Sequence, residues 1–182
     1  MLPYVRTMNA RDKIISIDNL ARWRANVRAN NKRLVVTNGC FDLLHLGHVS
    51  YLETARNLGD MLLIGMNSDT SVRKLKGKGR PVNTQTDRAA VLAALTSVDA
   101  VCIFNETTAT EFLELAKPTI YVKGGDYTLD QIPKGDCAVV KRYNGEIKIV
   151  PLVPNKSTTS LLKKNHGVIK YRLIGKEKDR GY

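Results

Sequence analysis

Twelve consecutive residues constrain this chain most: Thr37-Asn38-Gly39-Cys40-Phe41-Asp42-Leu43-Leu44-His45-Leu46-Gly47-His48. The apolar run Leu34-Val35-Val36 leads into them, and an amphipathic stretch over 49–58 leads out. The segment therefore reads as strand, tight turn and helix start. It puts two histidines three residues apart at a helix N-terminus, with Gly47 between them. Such a terminus offers unpaired N–H groups and a partial positive charge, which suits phosphate. Two imidazoles there can donate hydrogen bonds to phosphoryl oxygens as charge builds during transfer. The pattern points to a nucleoside triphosphate. The competing readings are a metal-binding pair or two surface histidines. A metal would want a third ligand, and the only other histidine, His166, lies far along in a charged tail.

The rest of the chain alternates in the same way. A helix is expected over 16–30, with Ser16 or Asp18 as cap and Leu20, Trp23 and Val27 at helical spacing. Strands are expected over 34–37, 61–66, 100–104 and 119–122, each a short apolar run. Helices fall over 46–58, after Thr84 or Thr86, and over 109–116. A basic, glycine-rich loop is expected over 74–81. Strands over 138–141 and 147–152 flank Asn144-Gly145, as a hairpin or as what is left of a β-α-β unit. A polar turn opens a last helix over 158–165. Residues 1–13 read as a loose lead, 14–166 as one domain and 167–182 as a charged tail.

The expected architecture is α/β: a three-layer, Rossmann-like fold with a mostly parallel five-stranded sheet and helices on both faces. In such folds ligands bind beyond the carboxyl ends of the strands. Three polar clusters fall there: 39–48, 67–69 and 123–126.

Composition narrows the classes. The chain has 182 residues, 43% apolar and 25% charged, enough for one domain with a real core. No stretch is long and apolar enough for a membrane span, and residues 1–10 lack the apolar core of a secretory signal. A cytoplasmic protein with no membrane contact is expected. Cys40, Cys102 and Cys137 form no C-x-x-C pair, which argues against disulfides and zinc. They read as small buried hydrophobes, with a nucleophilic Cys40 as the alternative. The net charge of +12 favours anionic partners. Basic residues gather over 6–33, 73–80 and 163–180, without the interleaved aromatics that stack bases. Small phosphorylated substrates are therefore favoured over nucleic acid.

Four further groups carry chemistry. Ser157-Thr158-Thr159-Ser160 can cap a helix or hold terminal phosphate oxygens. Lys123-Gly124-Gly125-Asp126 can bring backbone and a carboxylate close to a sugar, or be an ordinary turn. Of Lys74, Lys76, Lys78, Arg80 and Arg88, the two expected at phosphate are Lys76 and Arg88. Asp69 and Asp99 read as structural, as caps or as partners of arginines.

These residues resemble the cytidylyltransferase-like nucleotidyltransferases, the superfamily marked by H-x-G-H. The resemblance covers about 14–165. It is carried by residues 32–45, Asn67-Ser68-Asp69, Lys76-Gly77, Arg80-Pro81-Val82-Asn83, Val122-Lys123-Gly124-Gly125-Asp126-Tyr127 and Ser157-Thr158-Thr159. Within the superfamily the chain is most similar to the branch that adenylates D-glycero-β-D-manno-heptose 1-phosphate, in its stand-alone form without a sugar kinase. The resemblance implies transfer of AMP from ATP to a sugar 1-phosphate, giving ADP-heptose for lipopolysaccharide core. It implies Mg2+ arriving with ATP, no metal held by the protein itself, and a homodimer. His45, His48 and Lys76 would be catalytic. Asn38, Gly39, Cys40, Phe41, Asp42, Gly47, Arg88, Lys123, Gly124, Gly125, Asp126, Ser157, Thr158 and Thr159 would hold the nucleotide. Relatives that make CDP-glycerol carry Arg-Thr-Glu-Gly before the hydroxyl motif, where this chain has Val153-Pro154-Asn155-Lys156. Glycerol-3-phosphate cytidylyltransferase and FMN adenylyltransferase are the alternatives within the class. A regulator without turnover and a basic nucleic-acid module are the alternatives outside it.

Overall fold

Period-two alternation within short apolar runs builds this molecule. In the computed structural model, which describes residues 9–125 and 128–151, six strands form one sheet. They are β1 (Ile14–Ile15), β2 (Leu34–Gly39), β3 (Met61–Asn67), β4 (Ala100–Phe104), β5 (Ile120–Gly124) and β6 (Glu146–Val150). The sheet order is β1-β4-β3-β2-β5-β6, and every pair is parallel. The helices are α1 (Ile17–Ala29), α2 (Leu46–Arg56), α3 (Asp69–Lys76), α4 (Gln85–Ala93), α5 (Thr110–Ala116) and α6 (Lys134–Arg142).

Both faces of the sheet are covered, as a parallel sheet requires. Leu34, Val36, Leu63, Cys102 and Tyr121 face α1, α5 and α6, which contribute Leu20, Phe112 and Val140 to that core. Val35, Leu62, Ile64, Val101 and Val122 face the other way, onto Leu52 of α2 and Leu92 of α4. The three-layer α/β fold is thus the one expected. The sheet has six strands rather than five because Ile14–Ile15 pairs with β4 at the edge. Two residues are too few to show a period.

Two local expectations are overturned. Residues 138–141 are not a strand; they belong to α6. Val139 and Val140 suit a strand by propensity, but together with Asp136 they form the buried face of a helix. The β-α-β alternative for this region holds, since β5, α6 and β6 form a parallel crossover. The basic loop is also shorter than expected. Residues 69–76 are helical, with Ser68 accepting from the Ser71 N–H at 3.2 Å as cap, and Gly77 ends the helix at φ +86. The expected helix over 158–165 lies outside the described residues.

Gly65 on β3 shows how tightly the layers meet. A Cβ there would come within 2.5 Å of the Phe112 ring, which stacks on Phe104 at a centroid distance of 5.4 Å. Close-packed interiors have no slack for such an atom. Gly65→Ala should therefore destabilise the fold by about 1–3 kcal/mol through overpacking. Phe112→Ala should cost about 3–5 kcal/mol through the cavity it leaves. Urea unfolding curves would measure both, and a Gly65→Ala protein as stable as the parent would refute the packing account.

Candidate active site

The chain order reverses between β2 and β5. From β2 it runs outward through β3 to β4, then returns to β5 and continues to β6. A crevice opens at such a point beyond the carboxyl ends of the strands. The turn after β2 and the end of β5 form its two walls.

The turn is built tightly. Phe41 adopts φ +44, a strained value for a bulky residue. Its ring folds back over Gly39, where a Cβ would lie 3.2 Å from Phe41 Cε2. The same ring meets His48 at 5.4 Å. His45 is the N-cap of α2 and its side chain makes no cap hydrogen bond, while the His48 N–H bonds the His45 carbonyl at 2.8 Å, so the helix itself supplies no acceptor for the N–H groups of Leu46 and Gly47. The His45 and His48 rings stack at 3.9 Å. His48 Nδ1 is buried and has no hydrogen-bond partner among the described residues. Burial, and then the neighbouring His45, lowers the His48 pKa from 6.5 to about 4. His48 is thus a neutral imidazole at pH 7.

The basic loop is fastened to the turn by one carboxylate. Asp42, 3% exposed, accepts from Arg80 Nε, from the Val82 N–H at 2.7 Å and from the Asn83 N–H at 3.2 Å. Arg88 lies deeper than expected. Its side chain is 0% exposed and pairs with Asp69 at 2.8 Å. It also donates to the backbone oxygens of Cys40 and Asn83. The structure places Arg88 beneath the turn, with contacts to protein rather than to the crevice. Lys76, exposed at the end of α3, lies close enough to Cys40 to act on its charge, as do Arg80 and Arg88. Burial nevertheless raises the Cys40 thiol pKa, so it is not an activated nucleophile. Cys102, inside β4, is pushed up to about 12 by burial.

The opposite wall is joined to the turn by Asn38. Its Oδ1 accepts from Tyr121 Oη and from Lys123 Nζ, each at 2.6 Å. Lys123 is buried at 6% exposure, and Gly124 and Gly125 follow it towards solvent. Below them Tyr51 of α2 meets Thr37 Oγ1 at 2.7 Å and donates to the Val122 carbonyl at 3.0 Å. Sequence reasoning missed Tyr121, Tyr51 and Asp136. Asp136, 1% exposed, accepts from Thr110 at 2.7 Å and from Tyr121 Oη at 3.3 Å. Its position on a helix read as partly strand concealed it. Asp69 and Asp99 are structural as expected; Asp99 pairs with Arg56 at 2.7 Å and accepts from the Leu62 N–H. The structure thus brings together Asn38, Gly39, Cys40, Phe41, Asp42, His45, Gly47, His48, Lys76, Lys123, Gly124 and Gly125. Asp126, Ser157, Thr158 and Thr159 lie outside the described residues.

A parallel sheet with a histidine-bearing helix start at its reversal point defines a Rossmann-like architecture with a phosphate-suited turn. The chain belongs to the cytidylyltransferase-like family, whose model matches residues 36–171. Among curated proteins it is 48% identical over 157 residues to the bifunctional protein HldE of Koribacter versatilis, covering 86% of this chain and 32% of the relative. It is 49% identical over 155 residues to the protein of the same name from Campylobacter fetus, covering 85% and 32%. The chain therefore spans about a third of the length of these relatives. Among solved structures it matches a lipopolysaccharide core biosynthesis protein from Thermoplasma volcanium with a TM-score of 0.56 and 27% identity, covering 69% of this chain and 99% of that one. A pantoate-beta-alanine ligase from Francisella tularensis shares the fold at a TM-score of 0.55 and 16% identity, over 84% and 76% of the two chains. No helix among the described residues is long and apolar enough to cross a membrane.

Two outcomes follow from the site's electrostatics. The His48 pKa is depressed in the fold, so its contribution to stability is complete above pH 6.5 and is lost as pH falls towards about 4. Unfolding midpoints between pH 7 and pH 4 should fall less in His48→Gln than in the parent. An unchanged slope would contradict a buried neutral imidazole. Asp42→Ala leaves Arg80 and two backbone N–H groups without their acceptor and should cost about 3 kcal/mol by denaturant unfolding.

Proposed function

We propose that this chain transfers AMP from ATP to a sugar 1-phosphate, D-glycero-β-D-manno-heptose 1-phosphate, releasing pyrophosphate. The observation that carries the reading is the stacked His45–His48 pair at the uncapped start of α2, beside a basic loop. The relatives named HldE and the lipopolysaccharide core biosynthesis protein support the heptose acceptor. In this reading the enzyme works in the cytoplasm as a homodimer.

An oxygen of the acceptor phosphate attacks the α-phosphorus of ATP. The bond from that phosphorus to the bridging oxygen breaks, and pyrophosphate leaves with the electron pair. The acceptor is already an anion at pH 7, so no general base is needed. The first N–H groups of α2 and the imidazoles of His45 and His48 face the phosphates and donate as charge builds. Lys76 adds a cation from the end of α3. Lys123, with Gly124, Gly125 and Asp126, lies beside the nucleoside. Ser157, Thr158 and Thr159 hold the β- and γ-phosphates. Arg88 and Asp42 act by fixing the turn and the loop. Mg2+ bound with ATP would supply neutralisation of the phosphate oxygens. The Asp42 carboxylate is taken by Arg80, Val82 and Asn83, so the turn offers N–H and imidazole donors, and the ion's ligands would be the phosphates themselves.

Pyrophosphate release should be measured with ATP or CTP against heptose 1-phosphates of both anomers, glycerol 3-phosphate and FMN. Turnover should occur with ATP and the β-heptose phosphate. Turnover with a different pair would replace the acceptor, and none at all with ATP still bound would overturn the transferase reading. His45→Ala and His48→Ala should each lower kcat about 10²–10³-fold while ATP affinity changes little. Equal losses in both quantities would assign the histidines to binding alone.

A further inference from the structure

The transfer mechanism leaves one set of buried polar side chains without a task. Thr110, Tyr121 and Asp136 come from α5, β5 and α6 and meet beneath the crevice wall, Tyr121 at 0% and Asp136 at 1% exposure. Thr110 Oγ1 donates to Asp136 Oδ1 at 2.7 Å, and Asp136 Oδ2 lies 3.3 Å from Tyr121 Oη. An apolar ring would fill the same space without the cost of burying a hydroxyl and a carboxylate. What the polar chain holds in place is therefore informative.

It holds the direction of one amide. Asn38 Oδ1 accepts from Tyr121 Oη and from Lys123 Nζ, each at 2.6 Å. An ammonium has three donors and no acceptor, so the Asn38 atom that faces it is the oxygen. The amide thus has a single orientation, with its oxygen towards β5 and its NH2 turned away from β5. Asn38 is half-buried, and its Nδ2 makes no hydrogen bond among the described residues yet is not one of their sealed, unpartnered atoms, so it reaches solvent. Two N–H donors are held in a fixed direction at the carboxyl end of β2.

The position of Asn38 in the chain says what those donors meet. It is the last side chain before the turn whose far end carries His45 and His48. It also touches Lys123, where the segment proposed to lie beside the nucleoside begins. The group of a nucleotide between its nucleoside and its terminal phosphates is the α-phosphate. An amide N–H beside an ammonium suits an anionic oxygen.

We propose that Tyr121, braced by Asp136 and Thr110, is a positioning residue: with Lys123 it fixes the Asn38 amide so that Nδ2 donates to a non-bridging oxygen of the α-phosphate. Asn38 is the contact, and Tyr121 acts through it. This role rests on the nucleotidyl transfer proposed above, whatever the acceptor.

The test is NMR of the isotope-labelled full chain titrated with ATP, AMP and adenosine, with dissociation constants for the parent, Asn38→Asp and Tyr121→Phe. In the parent the Asn38 side-chain NH2 signals should shift with ATP and with AMP and stay in place with adenosine, a reading that needs no variant. Asn38→Asp keeps an oxygen for Tyr121 and Lys123 and puts a second oxygen where the NH2 was. It should weaken ATP binding about tenfold to a hundredfold and leave adenosine binding as in the parent. Tyr121→Phe should weaken ATP binding about threefold, and should change nothing further in the Asn38→Asp background. A purely structural tyrosine would instead add its loss to that of Asn38→Asp. An NH2 shift with adenosine would make Asn38 a nucleoside contact, and a shift with ATP but not AMP would move it to the terminal phosphates; either overturns the proposal. So would no shift while ATP binds, and additive losses would remove the role of Tyr121. A parent that bound no ATP would overturn the transferase reading and this one together, whereas ATP binding without turnover on the heptose phosphate would count against the acceptor alone.

Discussion

One buried guanidinium holds the turn, α3 and α4 to one another. Arg88 reaches the Cys40 carbonyl in the turn, Asp69 at the start of α3 and the Asn83 carbonyl before α4. A charge sealed at 2% exposure is tolerable only when its donors are used and a counter-charge is near. Asp69 supplies that charge, and the two carbonyls take further N–H groups. Removing any one of these would leave part of a cation bare in the interior. The mutual dependence fixes the turn in one geometry, including the positive φ of Phe41, which a free turn would relax.

Asn38 does the corresponding work across the crevice. One amide oxygen receives donors from Tyr121 and Lys123, both on β5. The register of β2 against β5 pairs Val36 with Tyr121, so the last residues of the two strands splay beyond their shared ladder. The side-chain bridge spans the gap where backbone pairing stops. Asp136 and Thr110 anchor Tyr121 from the layer below, so the position of the crevice wall is set by α5 and α6 as well as by the sheet. A site held this way needs little rearrangement to receive a ligand.

The fold was largely legible because the strands carry their own signal. Runs such as Met61–Asn67 are apolar on both faces, and nothing but a doubly covered sheet buries them. The errors came where local propensity and tertiary burial disagree. Val139-Val140 favours a strand in isolation, yet its neighbours Asp136 and Lys141 fit a helix with one buried face. Arg73, Lys74 and Lys76 close the capped helix over 69–76, and that density of charge made its last turn, 74–76, read as the start of a loop. At the site, the turn and its histidines were readable from spacing. The depth of Arg88 was not, because sequence gives the charge of a residue but not the carbonyl it will meet.

The electrostatics divide the proposed work. His48 is neutral at pH 7 because burial and His45 oppose its charge. The standing positive charge near the turn therefore belongs to Lys76 and Lys123 and to the α2 terminus, since Arg80 is paired with Asp42. In the proposed reaction those groups would attract a polyanion from a distance and bind ground state and transition state alike. The imidazoles respond differently. In the proposed reaction a phosphate oxygen at the histidine pair would favour the protonated form that burial disfavours, and the preference would grow as negative charge accumulates during transfer. An interaction that strengthens along the reaction lowers the barrier, whereas one of constant strength tightens binding only. In the proposed reaction His48 would thus start neutral because it is buried, and would gain its strongest interaction only as the charge of the reaction develops beside it.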